Sequence, residues 1–223
     1  MINTLDEYIG RSMPDAGSFA TNPNLMKKVD AKGKLLPFRG NTVVYLLDET
    51  VKKQLAQLRD QLYLAAPEML ADKLREDTFH MTLHDLVNGA PGEENLARKM
   101  EQAKKMTWEI LSQWEEVKTI SMRATWIFNM VNTSIVLGLK PVDEDNWQQL
   151  DQMYCALESV VNLGYGLTPH ITLAYFRPGM YNEEQVRKLK EALKPVEMDV
   201  VLRRENLVLQ NFTDMNSYQT IRQ

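Results

Sequence analysis

Two strings of four residues, His80-Met81-Thr82-Leu83 and His170-Ile171-Thr172-Leu173, stand 90 residues apart in a chain of 223. A second landmark, Asn41-Thr42 ahead of an apolar run, returns as Asn132-Thr133 at an interval of 91. Two landmarks in such close register point to an internal duplication of about 90 residues. A unit of that length in two copies is no solenoid, which stacks shorter units in greater number. It predicts two similar lobes related by a pseudo-twofold axis, with the histidine strands meeting at their junction.

The elements between the landmarks repeat in the same order: strand, helix, histidine strand, helix, strand. Thr42 to Leu47 is apolar and β-branched, as a buried strand requires. Asp48 or Thr50 can cap a helix whose stripe is Val51, Leu55, Leu58 and Leu62, and Pro67 ends it. Phe79 to His84 alternates polar and apolar side chains, the pattern of a half-buried strand. After a turn at Gly89-Ala90-Pro91-Gly92 comes a long helix with Leu96, Met100, Ala103, Thr107, Ile110 and Trp114 on one face. Strand-like runs follow at Thr119 to Asn129 and Thr133 to Leu139, then a helix from about Asp143 to Val161. Pro169 opens a strand from His170 to Phe176, Asn182 can cap a short helix, and strands near Asp199–Leu202 and Asn206–Leu209 finish the pattern. The repeats span about 41–128 and 132–210 of a single domain, 41–223. Residues 1–40 read as an irregular N-terminal arm, with one short helix before a stretch rich in Pro, Gly, Asn and Lys.

Composition narrows the partners. Lys and Arg total 26 against 30 Asp and Glu, a net charge of -4, which argues against gripping long nucleic acid. A small phosphate ligand needs only a few well-placed donors and stays open. Cys155 is the single cysteine, so neither an internal disulfide nor a cysteine zinc cluster can form. The N-terminal residues lack a basic segment followed by an apolar one, and no apolar run approaches ~18 residues. The expectation is a cytoplasmic protein with no membrane association.

In an extended strand, residues two apart share a face, so His80 projects with Thr82 and His170 with Thr172. Met81, Leu83, Ile171 and Leu173 then anchor the other face. Cleaving a phosphodiester without a metal needs one group to take a proton from the nucleophile. Another must deliver one to the departing oxygen on the far side. Imidazole, with a reference pKa near ~6.5, can do either. Threonine hydroxyls can donate to the two non-bridging oxygens as charge builds. Two His/Thr pairs facing one cavity meet both needs.

The paired motifs resemble the signature of the two-histidine (2H) phosphoesterases, a superfamily that includes 2′-5′ RNA ligase-like proteins and cyclic phosphodiesterases. The resemblance covers residues from about 40 to 210. It implies an α+β, bilobal, duplicated fold with two antiparallel sheets lining a central cleft and helices outside. It implies hydrolysis of 2′,3′-cyclic phosphate or related phosphodiester ends of small nucleotides or RNA, without metal or organic cofactor. By the same resemblance His170 activates water and His80 protonates the leaving ribose oxygen. The arm and Phe38-Arg39-Gly40-Asn41-Thr42 resemble an uncharacterised bacterial branch of the superfamily.

Further candidates are substrate-binding. His84, four residues beyond His80, is expected on the same face, where it can hold a phosphate. Arg39, Arg123 and Arg177 near strand ends are the candidate phosphate cations. Lys27, Lys28, Lys32 and Lys34 concentrate charge in the arm, which can close over the cleft. Phe176 shares the His170 face by strand parity and can stack on a base, whereas Tyr175, Asp77 and Asp85 fall on opposite faces. Trp126 is expected in the core. Two rival readings are a zinc site from His80, His84 and His170, and a nucleotide- or RNA-end-binding module without catalysis.

Overall fold

The structure, a computed structural model, describes residues 17–114 and 119–222. The expected short helix near the N-terminus lies outside the described residues. In chain order the elements are β1 (Phe19–Ala20), β2 (Arg39–Leu46), α1 (Glu49–Ala65), β3 (His80–Gly89), α2 (Leu96–Leu111) and β4 (Ile120–Met130). There follow β5 (Ser134–Pro141), α3 (Glu144–Leu157), β6 (His170–Tyr175), β7 (Met180–Tyr181) and α4 (Glu183–Ala192). The last strands are β8 (Asp199–Leu202), β9 (Leu207–Asp214) and β10 (Ser217–Ile221).

The fold is α+β. Eight strands form one curled antiparallel sheet in the order β10-β9-β2-β3-β6-β5-β4-β8, and β1 pairs with β7 in a small second sheet. The large sheet has two halves that touch at one bridge, Met81 with Ile171. Its order reads alike from either side of that joint when β2 is matched with β5, β3 with β6 and β9 with β4. The halves exchange strands, however. β4 leaves the first stretch of sequence to pair with β5, and β9 leaves the second to pair with β2.

Local sequence explains the elements. β2 has neighbours on both edges and a buried run Val43, Val44, Tyr45, so it is apolar without alternation. α1 turns Leu55, Ala56 and Leu62 inward. Asp48 at its start makes no capping bond and instead pairs with Arg203, 2.5 Å away. Asp143 caps α3 through the Asn146 N–H, and Asn182 with Gln185 forms a capping box on α4. The helix from Asp143 stops at Leu157, short of Val161, and Trp126 is half-buried beside Pro195.

The arm is less irregular than its composition suggests. Leu25, Val29 and Phe38 are buried in the main core, and Phe19 lies against the rings of Phe176 and Tyr181. Backbone bonds from Thr21 to Gly179 and from Phe38 to Thr213 clamp its two ends. Pro, Gly and Asn there set turns between anchoring side chains. Leu25→Ala should therefore cost about 2–5 kcal/mol of unfolding free energy in a urea titration. A loss near zero would mean that the arm is detachable.

Candidate active site

Both histidine strands carry an extra residue at the same place. Across β2 and β3, Val43 faces His84 while Val44 faces Thr82, so Leu83 has no partner. Across β5 and β6, Ile135 faces Ala174 while Val136 faces Thr172, which leaves Leu173 unopposed. Each is a β-bulge, and a bulge reverses the alternation beyond it. Leu83 and His84 are both buried, as are Leu173 and Ala174. Asp85 and Tyr175, not His84 and Phe176, therefore return to the face that carries His80, Thr82, His170 and Thr172.

These residues line a cleft of about 540 Å³ over the joint between the sheet halves. Antiparallel pairing about the Met81–Ile171 bridge sets His80 across from Thr172 and Thr82 across from His170. His80 and His170 thus occupy one diagonal of a rectangle whose backbone positions stand roughly 7–8 Å apart at ordinary sheet spacing. That leaves room for a tetrahedral phosphorus between them.

The two imidazoles are oriented in the same way. His80 Nδ1 lies 2.7 Å from the Thr78 carbonyl oxygen, and His170 Nδ1 lies 2.6 Å from that of Thr168. A carbonyl only accepts, so Nδ1 carries the hydrogen and Nε2 is left to exchange protons. Burial holds both pKa values below the ordinary imidazole value, that of His80 down to about 4. The carbonyl bonds and the Asp85 carboxylate pull the other way, and desolvation wins. The edge of the Tyr218 ring meets His80 at 4.9 Å, and burial raises that phenol well above its ordinary value.

Of the candidate cations, the structure brings Lys28 to the cleft. Its ammonium sits 5.3 Å from the Phe38 ring and 5.7 Å from that of Tyr175, and its charge acts on His170. The three arginines lie elsewhere. Arg39 lines a separate surface pocket beside Glu93, exposed Arg123 reaches Asp199 at 3.5 Å, and Arg177 is packed by Gly33 and Ala71. Phe176 is 0% exposed in the core, which corrects the base-stacking role. Its strand parity was inverted by the bulge.

His84 borders the cleft with a side chain that is 0% exposed. Its Nε2 faces Glu158 Oε1 at 3.0 Å and its Nδ1 faces the Asp85 carbonyl, so the ring ties β3 to the end of α3. Burial opposes ionisation of Glu158, but bonds from the Leu163 N–H, His84 and Tyr154 keep its pKa below the ordinary value. No ring nitrogen of His84 is left for a phosphate or a metal. Among the described residues, no three His, Cys, Asp or Glu side chains gather as a metal site.

Sequence reasoning missed Asp85 and Thr42 as cleft residues. The Thr42 hydroxyl donates to the His84 carbonyl at 3.1 Å and stands 3.4 Å from Asp85 Oδ1. The repeated Asn-Thr pair was a signal for Thr42, since Thr133 also lines the cleft. At the lip, the β4–β5 turn holds Val131 and Asn132 at positive φ, 47° and 59°, which leaves Val131 61% exposed near the 60% exposed Tyr165.

The chain matches no family model and no curated protein. Solved structures do share its fold. A conserved protein of unknown function from Agrobacterium tumefaciens superposes with a TM-score of 0.62 at 20% identity, over 91% of this chain and 93% of that one. TT0787 of Thermus thermophilus gives 0.55 at 12% identity, over 82% and 95%. E. coli LigT in its apo form gives 0.53 at 13% identity, over 84% and 96%. The chain has a LigT-like fold.

The buried histidines make stability depend on pH. Unfolded imidazole binds a proton near its reference value of 6.5, whereas folded His80 does so at about 4. Between those limits the unfolded chain holds more protons, so folding free energy is lost as pH falls from 6.5 towards 4. His80→Asn should flatten the dependence of unfolding free energy on pH in that window. An unchanged slope would show that His80 titrates normally.

Proposed function

We propose that the chain is a two-histidine phosphoesterase that hydrolyses 2′,3′-cyclic phosphate or related phosphodiester ends of small nucleotides or RNA. The observation that carries this reading is the pair of carbonyl-held imidazoles, each beside a threonine, on one diagonal of one cleft. An in-line displacement needs base and acid on opposite sides of the phosphorus, and the diagonal supplies both. Thr82 and Thr172 occupy the other diagonal, placed to donate to the non-bridging oxygens. Lys28 attracts the phosphate.

In the forward reaction His170 takes a proton from water through Nε2. That water attacks phosphorus, and His80 gives a proton to the departing ribose oxygen. The bonds that the two Nδ1–H groups donate to the Thr78 and Thr168 carbonyls preserve the tautomers that this exchange requires. Exposed Tyr165 offers an aromatic face to a base at the lip. E. coli LigT, of like fold, has been crystallised with 3′-AMP, which agrees with a small nucleotide as ligand. The same reading takes the chain as duplicated over about 41–128 and 132–210, which accounts for matching bulges and matching carbonyl bonds.

The test is turnover of 2′,3′-cyclic nucleotides by purified protein in excess chelator. His80→Ala and His170→Ala should each lower kcat/KM by about 10²–10⁴ while leaving the circular dichroism spectrum intact. Thr82→Val or Thr172→Val should cost about 10²–10³. Unchanged rates in both histidine variants, or activity restored only by added metal, would overturn the mechanism. Binding without turnover would favour a non-catalytic module.

Acid–base exchange requires one imidazole charged and one neutral. With both pKa values below 6.5, that pairing is most populated on the acid side of neutrality. The kcat/KM profile should be a bell whose alkaline limb falls about tenfold per pH unit above 6.5. A maximum above pH 8 would contradict the assignment.

A further inference from the structure

Asp85 is an unexpected group in a cleft read as a phosphate site. A carboxylate repels a phosphate, so its place there calls for a reason. Among the described residues lining the cleft, Lys28 and Asp85 are the two that carry a full charge irrespective of histidine protonation. The Leu83 bulge turns Asp85 onto the histidine face, and the Thr42 hydroxyl stands 3.4 Å from Oδ1. No lysine or arginine pairs with it among the described residues. Its charge acts on three of the ionisable groups around it, His80 on its own strand, His170 on β6 and Tyr218 on β10, while the neighbouring His84 is held by Glu158 and the Asp85 carbonyl. Lys28 faces the cleft from the arm, and Tyr175 from the end of β6.

The two charges act in opposite directions on any anion that enters. Lys28 alone would favour the most highly charged ligand. A phosphomonoester is close to doubly charged above its second pKa of about 6, whereas a phosphodiester carries one charge. Hydrolysis of a cyclic diester yields a monoester, so a cleft ruled by Lys28 would retain its product in preference to its substrate. Asp85 offsets that preference, because repulsion grows with the charge of the ligand.

From this arrangement we infer that Asp85 is the specificity-determining residue of the cleft, selecting singly charged phosphodiesters and disfavouring doubly charged phosphomonoesters. The inference rests on the phosphodiesterase reading and adds the charge class of the ligand to it. Asp85 acts through space on the ligand. It exchanges no proton and forms no covalent bond.

The experiment is calorimetric binding of 3′-AMP and 3′,5′-cyclic AMP at pH 8 to the wild-type protein, Asp85→Asn and Asp85→Glu. The first probe is a doubly charged monoester and the second a singly charged diester. Asp85→Asn should tighten binding of cyclic AMP by roughly threefold. It should tighten 3′-AMP by roughly tenfold, since twice the charge doubles the relieved repulsion. Asp85→Glu should keep the wild-type ratio of the two affinities, and thermal melts of each variant confirm the fold. Equal gains for both probes, or no gain, overturn the inference. So does a lack of binding of both probes by wild type and variant, and that result removes the phosphate-site reading as well. Turnover of 2′,3′-cyclic nucleotides with an unchanged ratio defeats the charge rule alone. The predicted ratio without any turnover supports the charge rule and defeats the phosphodiesterase reading.

Discussion

One antiparallel bridge, Met81 with Ile171, joins the two halves of the sheet, and the cleft lies over it. Both side chains are fully buried, and so are Leu83 and Leu173 beside them. An apolar layer on one face thus fixes the register from which the polar layer on the other face is read. A one-residue slip of either strand would send its own His and Thr side chains into the core. Because the strands are linked at a single bridge, they are free to splay beyond it, and the opening becomes a cleft.

The electrostatics of the cleft balance two effects. Burial drives both imidazoles towards neutrality, and the Asp85 carboxylate pulls them back towards the charged form. Desolvation is the larger, so the free cleft presents neutral rings, with Lys28 and Asp85 as its standing charges. A phosphate entering such a site brings its own negative charge, which favours protonation of a neighbouring imidazole. In the proposed mechanism the ligand itself therefore helps to create the acid.

How much of the site could be read in advance depended on how local its cause was. His80, Thr82, His170 and Thr172 come to one cleft because strand parity is a property of neighbouring residues. Asp85 and Tyr175 escaped the same parity rule, and Phe176 was misplaced by it, because the bulges at Leu83 and Leu173 lie between. An unopposed residue is defined by the partner strand and leaves no trace in its own sequence. The cations show the same limit. Arg39 opens β2 and Arg123 lies inside β4, and both strands carry these side chains away from the joint. Lys28 reaches the cleft because Leu25, Val29 and Phe38 pin the arm to the core, a consequence of contacts across distant segments.

The sequence by itself determined the α+β class, the repeated order of elements and the two His-x-Thr faces, since each follows from periodicity within a few residues. It also set the composition, one cysteine and a charge of -4. Tertiary structure alone decided the exchange of β4 and β9 between the halves, the bulges that bring in Asp85 and Tyr175, and the arrival of Lys28. It also withdrew His84 into its bond with Glu158. Those features depend on which strands become neighbours, and neighbours far apart in the chain are chosen by the packing of the whole core.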